Sequence, residues 1–230
     1  IVGKTSAGLT YSGFSQIQPG TPCLFVANHR DIVLDSAILQ VLLLDNHHET
    51  SEITFGSNLM INQFIVDFGK VNRMFKVYRG GNRMEFFRNS QVLSAYLRHT
   101  LTEKKTSAWI AQRSGRTKDG IDKTESGLLK MFNMSGKNDF ERNFAELNLV
   151  PLSISYEYEP CCALKVREMA SVARGIPYTK EADEDFRSII MGITQPKGRI
   201  HLAVCRPVNE YLAETREAAA TNDKINLLAT

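Results

Sequence analysis

The sequence predicts an α/β fold, a largely parallel or mixed central sheet flanked by helices. Three observations predict it. Short apolar runs rich in β-formers recur along the chain, at 23–28, 107–112 and 149–158 among others. Stretches of helical length and mixed polarity separate them. Turn residues such as the Gln-Pro-Gly-Thr-Pro of 18–22 bound them. Strands that alternate with helices in this way pair in parallel and are covered on both faces.

The elements follow in order. The turn at 18–22 precedes the first clear strand, 23–28, and Asp31 is placed to N-cap a helix from 31 to 44. A second helix is expected at 58–68. Met-Phe-Lys-Val-Tyr-Arg, 74–79, reads as a short strand ending in Gly80-Gly81, and 84–104 as a long helix. Ser-Ala-Trp-Ile-Ala-Gln, 107–112, reads as a buried strand. The polar, glycine-bearing segment 113–126 is a loop, with a short helix at 127–134 after it. Strand 149–158, a helix within 181–191, strand 198–208 and a helical tail at 209–230 complete the pattern.

The 230 residues suit one large domain, 1–230, better than two small ones. At 43% hydrophobic and 23% charged, the chain can build a core without disulfides or metals. A net charge of +3 and a pI near 8.6 argue against a nucleic-acid partner, which usually meets a stronger basic face. They fit a protein that handles anions or rests on an anionic membrane surface. Cys23, Cys161, Cys162 and Cys205 form no Cys-x-x-Cys pair and are expected to be reduced, as in the cytoplasm. The start, Ile-Val-Gly-Lys, has neither a charged n-region nor an apolar h-region, and the missing initiator Met predicts a fragment of a longer chain. No apolar run reaches the roughly 18 residues of a spanning helix, so a soluble or peripheral protein is expected.

In a parallel sheet, ligands bind beyond the carboxyl ends of the strands. The candidate site is therefore the set of strand exits at 28–35, 79–83, 112–120 and 156–160. The first reads Asn28-His29-Arg30-Asp31, with Asp35 six positions after His29. A histidine at a strand end acts as a general base when a carboxylate fixes its tautomer and stabilises the imidazolium. The pattern also fits an N-capping Asp31 beside a surface histidine. The second exit places Arg79 and Arg83 around two glycines, a pattern suited to binding phosphate and equally to a strand-ending turn. The third, Ala-Gln-Arg-Ser-Gly-Arg-Thr-Lys-Asp-Gly at 111–120, is a basic loop. It lacks the Walker spacing and the Gly-x-Ser-x-Gly of a nucleophile elbow, because Gln112 and Arg116 stand where glycines belong. Residues 61–76 interleave Phe64, Ile65, Phe68 and Phe75 with Lys70, Arg73 and Lys76. They suit either an anionic lipid surface or a core-facing helix with a basic outer edge.

Taken together and in order, the four exits resemble the motif blocks of the glycerophospholipid acyltransferases, the family of glycerol-3-phosphate and lysophosphatidate acyltransferases. Val-Ala-Asn-His-Arg-Asp-Ile-Val-Leu-Asp-Ser, 26–36, is similar to the family's Asn-His-x4-Asp block. Met-Phe-Lys-Val-Tyr-Arg-Gly-Gly, 74–81, is similar to its second block, and Trp-Ile-Ala-Gln-Arg-Ser-Gly-Arg-Thr-Lys-Asp-Gly, 109–120, to its third. Leu-Val-Pro-Leu-Ser-Ile-Ser-Tyr-Glu-Tyr-Glu-Pro, 149–160, is similar to its fourth, Val-Pro-containing strand. The resemblance covers about residues 20–210. Two departures stand out. Five residues, not four, separate His29 from Asp35, which leaves Asp31 as the alternative partner. Ser114 occupies the place of the third block's usual Glu, and Arg116 lies one position early.

The resemblance implies an α/β fold of the glycerolipid acyltransferase type and a single acyltransferase domain. It implies transfer of a fatty acyl group from acyl-CoA or acyl-carrier protein to a hydroxyl of glycerol-3-phosphate or lysophosphatidate. His29 would be the general base, with Asp35 or alternatively Asp31 holding its ring. Arg79, Arg116, Gly115 and Lys118 would bind the acceptor phosphate. No cofactor and no metal is implied, the acyl thioester being a co-substrate. The implied place is the cytoplasmic face of a membrane, with no nucleic-acid partner. Two alternatives remain: another lyso-lipid acceptor, or a catalytically impaired lipid- or anion-binding member of the family.

Overall fold

The computed structural model describes residues 1–60, 63–78, 80–181, 183–218 and 220–229. Its sheet contains β1 (Gly8–Ser12), β2 (Leu24–Ala27), β3 (Glu52–Gly56), β4 (Met74–Val77), β5 (Ala108–Ala111), β6 (Leu149–Tyr156) and β7 (Arg199–Val204). Their order is β1-β7-β6-β2-β5-β3-β4. The pairs β6–β2, β2–β5, β5–β3 and β3–β4 are parallel, as is β1–β7. Only β6–β7 is antiparallel among the described residues. The helices are α1 (Val2–Thr5), α2 (Leu34–Asp45), α3 (Gln63–Val71), α4 (Arg83–Thr102), α5 (Ser126–Asn133), α6 (Phe140–Ala145), α7 (Cys162–Ala173), α8 (Glu184–Thr194) and α9 (Thr221–Ala229). This is the mixed sheet with flanking helices that the alternating pattern predicts.

The central strand explains why both faces are covered. All four residues of β2 are buried, and successive side chains point to opposite faces. Phe25 and Ala27 join a core with Ile38, Leu39, Leu42 and Leu43 of α2. Leu24 and Val26 join the opposite core with Leu97, Leu101, Phe132 and Phe144. Fully burying each such side chain contributes about 1.5–3 kcal/mol, so the middle of the sheet is firmly fixed and its carboxyl ends are a rigid platform.

Helix α4 starts at a well-defined point. Asn82 Oδ1 accepts from Glu85 N at 2.9 Å, and Glu85 Oε2 accepts from Asn82 N at 3.0 Å, a reciprocal cap. Gly81 has φ +93, and a Cβ there would lie 2.5 Å from Glu85 Oε2, so the turn into this helix requires glycine.

Several elements differ from the sequence expectation. Helix α2 begins at Leu34, not Asp31, because residues 31–33 form a turn first. The helix expected at 58–68 is a short 3₁₀ turn, Ser57–Leu59, followed by α3. Strands β1 and β3 and helices α6 and α7 carry weak periodic signals and were not anticipated. The tail comprises two 3₁₀ segments and α9, packed against the face that holds Phe132 and Phe144. Among the described residues, no helix is long and apolar enough to cross a membrane.

Candidate active site

The chain leaves β2 at Asn28 and turns through residues 28–33 before entering α2. Asn28 is buried, and its side chain acts as an extra rung of the sheet. Its Oδ1 accepts from Ile154 N at 2.8 Å and its Nδ2 donates to Ile154 O at 3.0 Å. The same Nδ2 donates to Asp122 Oδ2 at 2.9 Å. The strand exit is thereby tied both to β6 and to the loop that follows β5.

His29 comes next and is 8% exposed. Its Nδ1 lies 2.9 Å from Asp35 Oδ2, and its ring meets the edge of Trp109 with centroids 5.8 Å apart. The 31–33 turn accounts for the contact. It absorbs the additional residue between His29 and Asp35 and puts Asp35 in the first turn of α2, facing back to the strand exit. Asp35 is 2% exposed. Its Oδ2 also accepts from Arg30 N at 2.6 Å and Asp31 N at 2.9 Å, while its Oδ1 accepts from Tyr156 Oη at 2.8 Å. Burial and the charge of Asp35 hold the Tyr156 hydroxyl well above the usual phenol range, so it remains a donor. A carboxylate surrounded by donors is kept as an acceptor, which places the imidazole proton on Nδ1 and leaves Nε2 with its lone pair.

Asp31, the alternative partner, does a different job. Its Oδ1 accepts from Val33 N at 3.0 Å and Leu34 N at 2.9 Å, which closes the turn that delivers Asp35. Its Oδ2 is buried without a hydrogen-bond partner. Burial and then the charge of Asp35 raise its carboxyl above the ordinary value, against the pull of the Leu34 and Val33 N–H groups and of Arg116. Helix α8 covers it closely: a Cβ on Gly192 would lie 2.1 Å from Asp31 Oδ2.

The loop after β5 wraps the other side. Thr117 N donates to His29 O at 2.8 Å. Asp122 accepts from Arg30 Nη2 at 2.5 Å and from Thr117 Oγ1 at 2.9 Å. Lys165 on α7 is buried and donates to Arg30 O at 3.0 Å, to Thr117 O at 2.7 Å and to Glu159. One ammonium thus fastens the β2 exit and the basic loop together. Sequence reasoning missed Asp122 and Lys165, and it included Tyr156 and Glu159 in the exit at 156–160 without giving them roles. Asp122 and Lys165 carried no sequence signal, because they become neighbours of the site only through the fold.

The predicted anion-binding residues fall as follows. Arg116 Nη2 donates to Ser188 Oγ at 3.1 Å, and its Nη1 is buried with no partner. Gly115 has φ +77 with open space where a Cβ would stand. Lys118 pairs with Glu168 on α7. Arg113, Ser114, Gly115, Arg116 and Lys118 line a groove of about 450 Å³, with Leu164, Met169 and Val172 of α7 opposite. His29 does not line it. Arg79 lies outside the described residues. Behind Arg116, burial raises the Cys161 thiol and lowers the fully buried Lys197 ammonium. Among the described residues, no cluster of three or more His, Cys, Asp or Glu side chains is arranged to hold a metal ion.

Chemically, the arrangement offers one oriented base beside a groove with basic and apolar walls. No family model and no curated protein matches this chain. Among solved structures, it is similar to the crystal structure of the 1-acyl-sn-glycerophosphate (LPA) acyltransferase PlsC from Thermotoga maritima. The TM-score is 0.46 and the identity 12%, over 96% of this chain and 68% of that one.

Proposed function

We propose that the chain is an acyltransferase that moves a fatty acyl group from a thioester, acyl-CoA or acyl-carrier protein, to a hydroxyl of glycerol-3-phosphate or a lysophosphatidate. The observation that carries the proposal is the His29–Asp35 contact at the exit of β2, beside the basic loop after β5. The four ordered sequence blocks support it.

In this reading the acceptor hydroxyl loses its proton to His29 Nε2 as its oxygen attacks the thioester carbonyl carbon. The C–S bond then breaks, and the imidazolium returns the proton to the departing thiolate. Asp35 stabilises the imidazolium through Nδ1, and Tyr156 and two backbone N–H groups keep Asp35 in place. Arg116, with Gly115, Lys118 and Arg79, holds the acceptor phosphate by charge-assisted hydrogen bonds. The groove between the basic loop and α7 is the place for the head group and its neighbouring apolar chain. No acyl-enzyme is formed, so no Ser or Cys nucleophile is used.

The test is release of free thiol from long-chain acyl-CoA or acyl-carrier protein with glycerol-3-phosphate or lysophosphatidate present. His29→Ala is expected to lower the rate by about 100- to 10,000-fold, the range of general-base catalysis. Equal release by the native chain and the variant would remove His29 from its role. Transfer that does not depend on Arg79 or Arg116 would instead point to a different lyso-lipid acceptor.

One observation favours a second reading, a lipid- or anion-binding protein without turnover. Ser114 is exposed in the groove at the place where the family carries Glu. Lipid binding without thiol release, together with activity appearing in Ser114→Glu, would favour it.

A further inference from the structure

A second cavity lies at the other end of the sheet, where β2 and β5 begin. Its volume is about 300 Å³, at the lower end of the range for small-molecule pockets. The buried Ile17, Phe25 and Leu43 form its floor, and all three belong to the core beneath α2. His47, His48 and Glu49, which follow α2, and Lys105 and Ser107, which precede β5, form its mouth. Phe25 stands four residues before His29, about 13 Å along the strand. The cavity is therefore on the rim opposite the imidazole, and its role does not depend on acyl transfer.

The backbone at this mouth is unusual. Among the described residues, four non-glycine residues have positive φ: His47 (+62), Arg73 (+57), Lys105 (+52) and Asn148 (+43). Each lies in a helix-to-strand connection, where glycine is the usual occupant. Arg73 and Asn148 are held there by their side chains. Arg73 Nη1 donates to Thr50 O at 2.9 Å, and Asn148 Nδ2 donates to Pro22 O at 3.1 Å. His47 and Lys105 have no such tie. Among the described residues, the side chains of His47, His48, Glu49 and Lys105 have no hydrogen-bond or ion-pair partner. The two strained positions that internal contacts leave unexplained thus bring an imidazole and an ammonium to one cavity. Strained backbone of this kind gathers at ligand clamps. Ser107 Oγ accepts from Cys23 N at 3.0 Å, which leaves its O–H free to donate.

We propose that this cavity binds a small monoanion with an apolar body, a monocarboxylate of medium chain length. The hydrocarbon lies against Ile17, Phe25 and Leu43. The carboxylate is met by Lys105, His47 and the Ser107 hydroxyl through charge-assisted hydrogen bonds. Glu49 at the same mouth disfavours a second negative charge, which selects a monocarboxylate over a phosphate dianion.

The test is isothermal titration calorimetry of the 230-residue chain with octanoate, acetate, octanol and inorganic phosphate. Octanoate is expected to bind saturably. Acetate and phosphate lack the apolar body and octanol lacks the charge, so each should bind at least about tenfold more weakly. Lys105→Gly and His47→Gly each remove a group from the mouth and also relieve a positive φ. Each should weaken octanoate at least about fivefold, while the melting temperature stays level or rises. Affinity lost without stability lost separates binding from folding. Absence of saturable octanoate binding, or native affinity in both glycine variants, overturns the proposal. So does octanol binding as tightly as octanoate. So does octanoate binding that Arg116→Ala abolishes and Lys105→Gly retains, because that places the ligand in the groove after β5.

Discussion

Nδ1 of His29 and Oδ2 of Asp35 lie 2.9 Å apart, although one residue leaves a strand and the other opens a helix. The turn between them sets that distance, and it makes the tautomer of the histidine a consequence of backbone geometry. An amide at 35 can keep its oxygen on Nδ1 and on the Arg30 and Asp31 N–H groups by turning its NH₂ toward the Tyr156 hydroxyl, but it brings no negative charge to stabilise the imidazolium. Asp35→Asn is therefore expected to lower thiol release by about 10²- to 10⁴-fold. Stopped-flow detection of the thiol checks the rate, and circular dichroism checks that the variant is folded.

Tyr156 tests the next link. Tyr156→Phe removes the hydroxyl that donates to Asp35 Oδ1 at 2.8 Å and leaves that oxygen buried without this partner. A loss of about 1–3 kcal/mol in stability is expected. The bond to His29 survives, so kcat should fall only about fivefold, with KM unchanged. A drop as large as that of Asp35→Asn would show that the hydroxyl itself takes part in proton transfer.

Lys165 is a fastening rather than a reactive group. Lys165→Met strands the carbonyls of Arg30 and Thr117 and the carboxylate of Glu159. The expected cost is about 3–5 kcal/mol, that of breaking a buried ion pair from one side. Urea denaturation measures it. At temperatures where the variant remains folded, KM for the phosphorylated acceptor should rise, because the loop carrying Arg116 is no longer tied to the β2 exit.

Asp31 gives a pH signature. Burial, then the charge of Asp35, raises its carboxyl above the ordinary 3.8. The folded chain therefore holds this proton more tightly than the unfolded chain does. The stability from that difference is fully present below pH 3.8 and is lost as pH rises through the raised folded value. Asp31→Asn keeps an oxygen for the Val33 and Leu34 N–H groups but cannot titrate. Its urea midpoint should fall less steeply than that of the native chain from acid toward neutral pH. Parallel curves would mean that Asp31 does not titrate differently on folding.

How much of this was legible beforehand follows the physics of each signal. Strands β2 and β5 are buried on both faces and appear as continuous apolar runs, while β6 is marked by an apolar start and the alternation that follows it. Their exits, and hence His29, could be placed from the sequence alone. The choice between Asp31 and Asp35 could not be made, because it depends on whether residues 31–33 are helical, and residue spacing does not distinguish a turn from a first helical turn. β1 was missed because its residues are mostly exposed, and β3 because its Glu-Ile-Thr-Phe-Gly, with Glu52 buried, forms no continuous apolar run. Asp122 and Lys165 were out of reach for another reason. Their roles depend on partners 94 and 135 positions away.

The antiparallel turn of β7 has a temporal consequence. Because β7 opposes β6, the chain passes into it from the rim where the other central strands finish. Helix α8 and Lys197 are thereby delivered over Asp31, some 160 residues after it. A ribosome would have to add some 160 residues after Asp31 before that carboxyl acquired its cover. Until then the turn that delivers Asp35 would stand open to solvent.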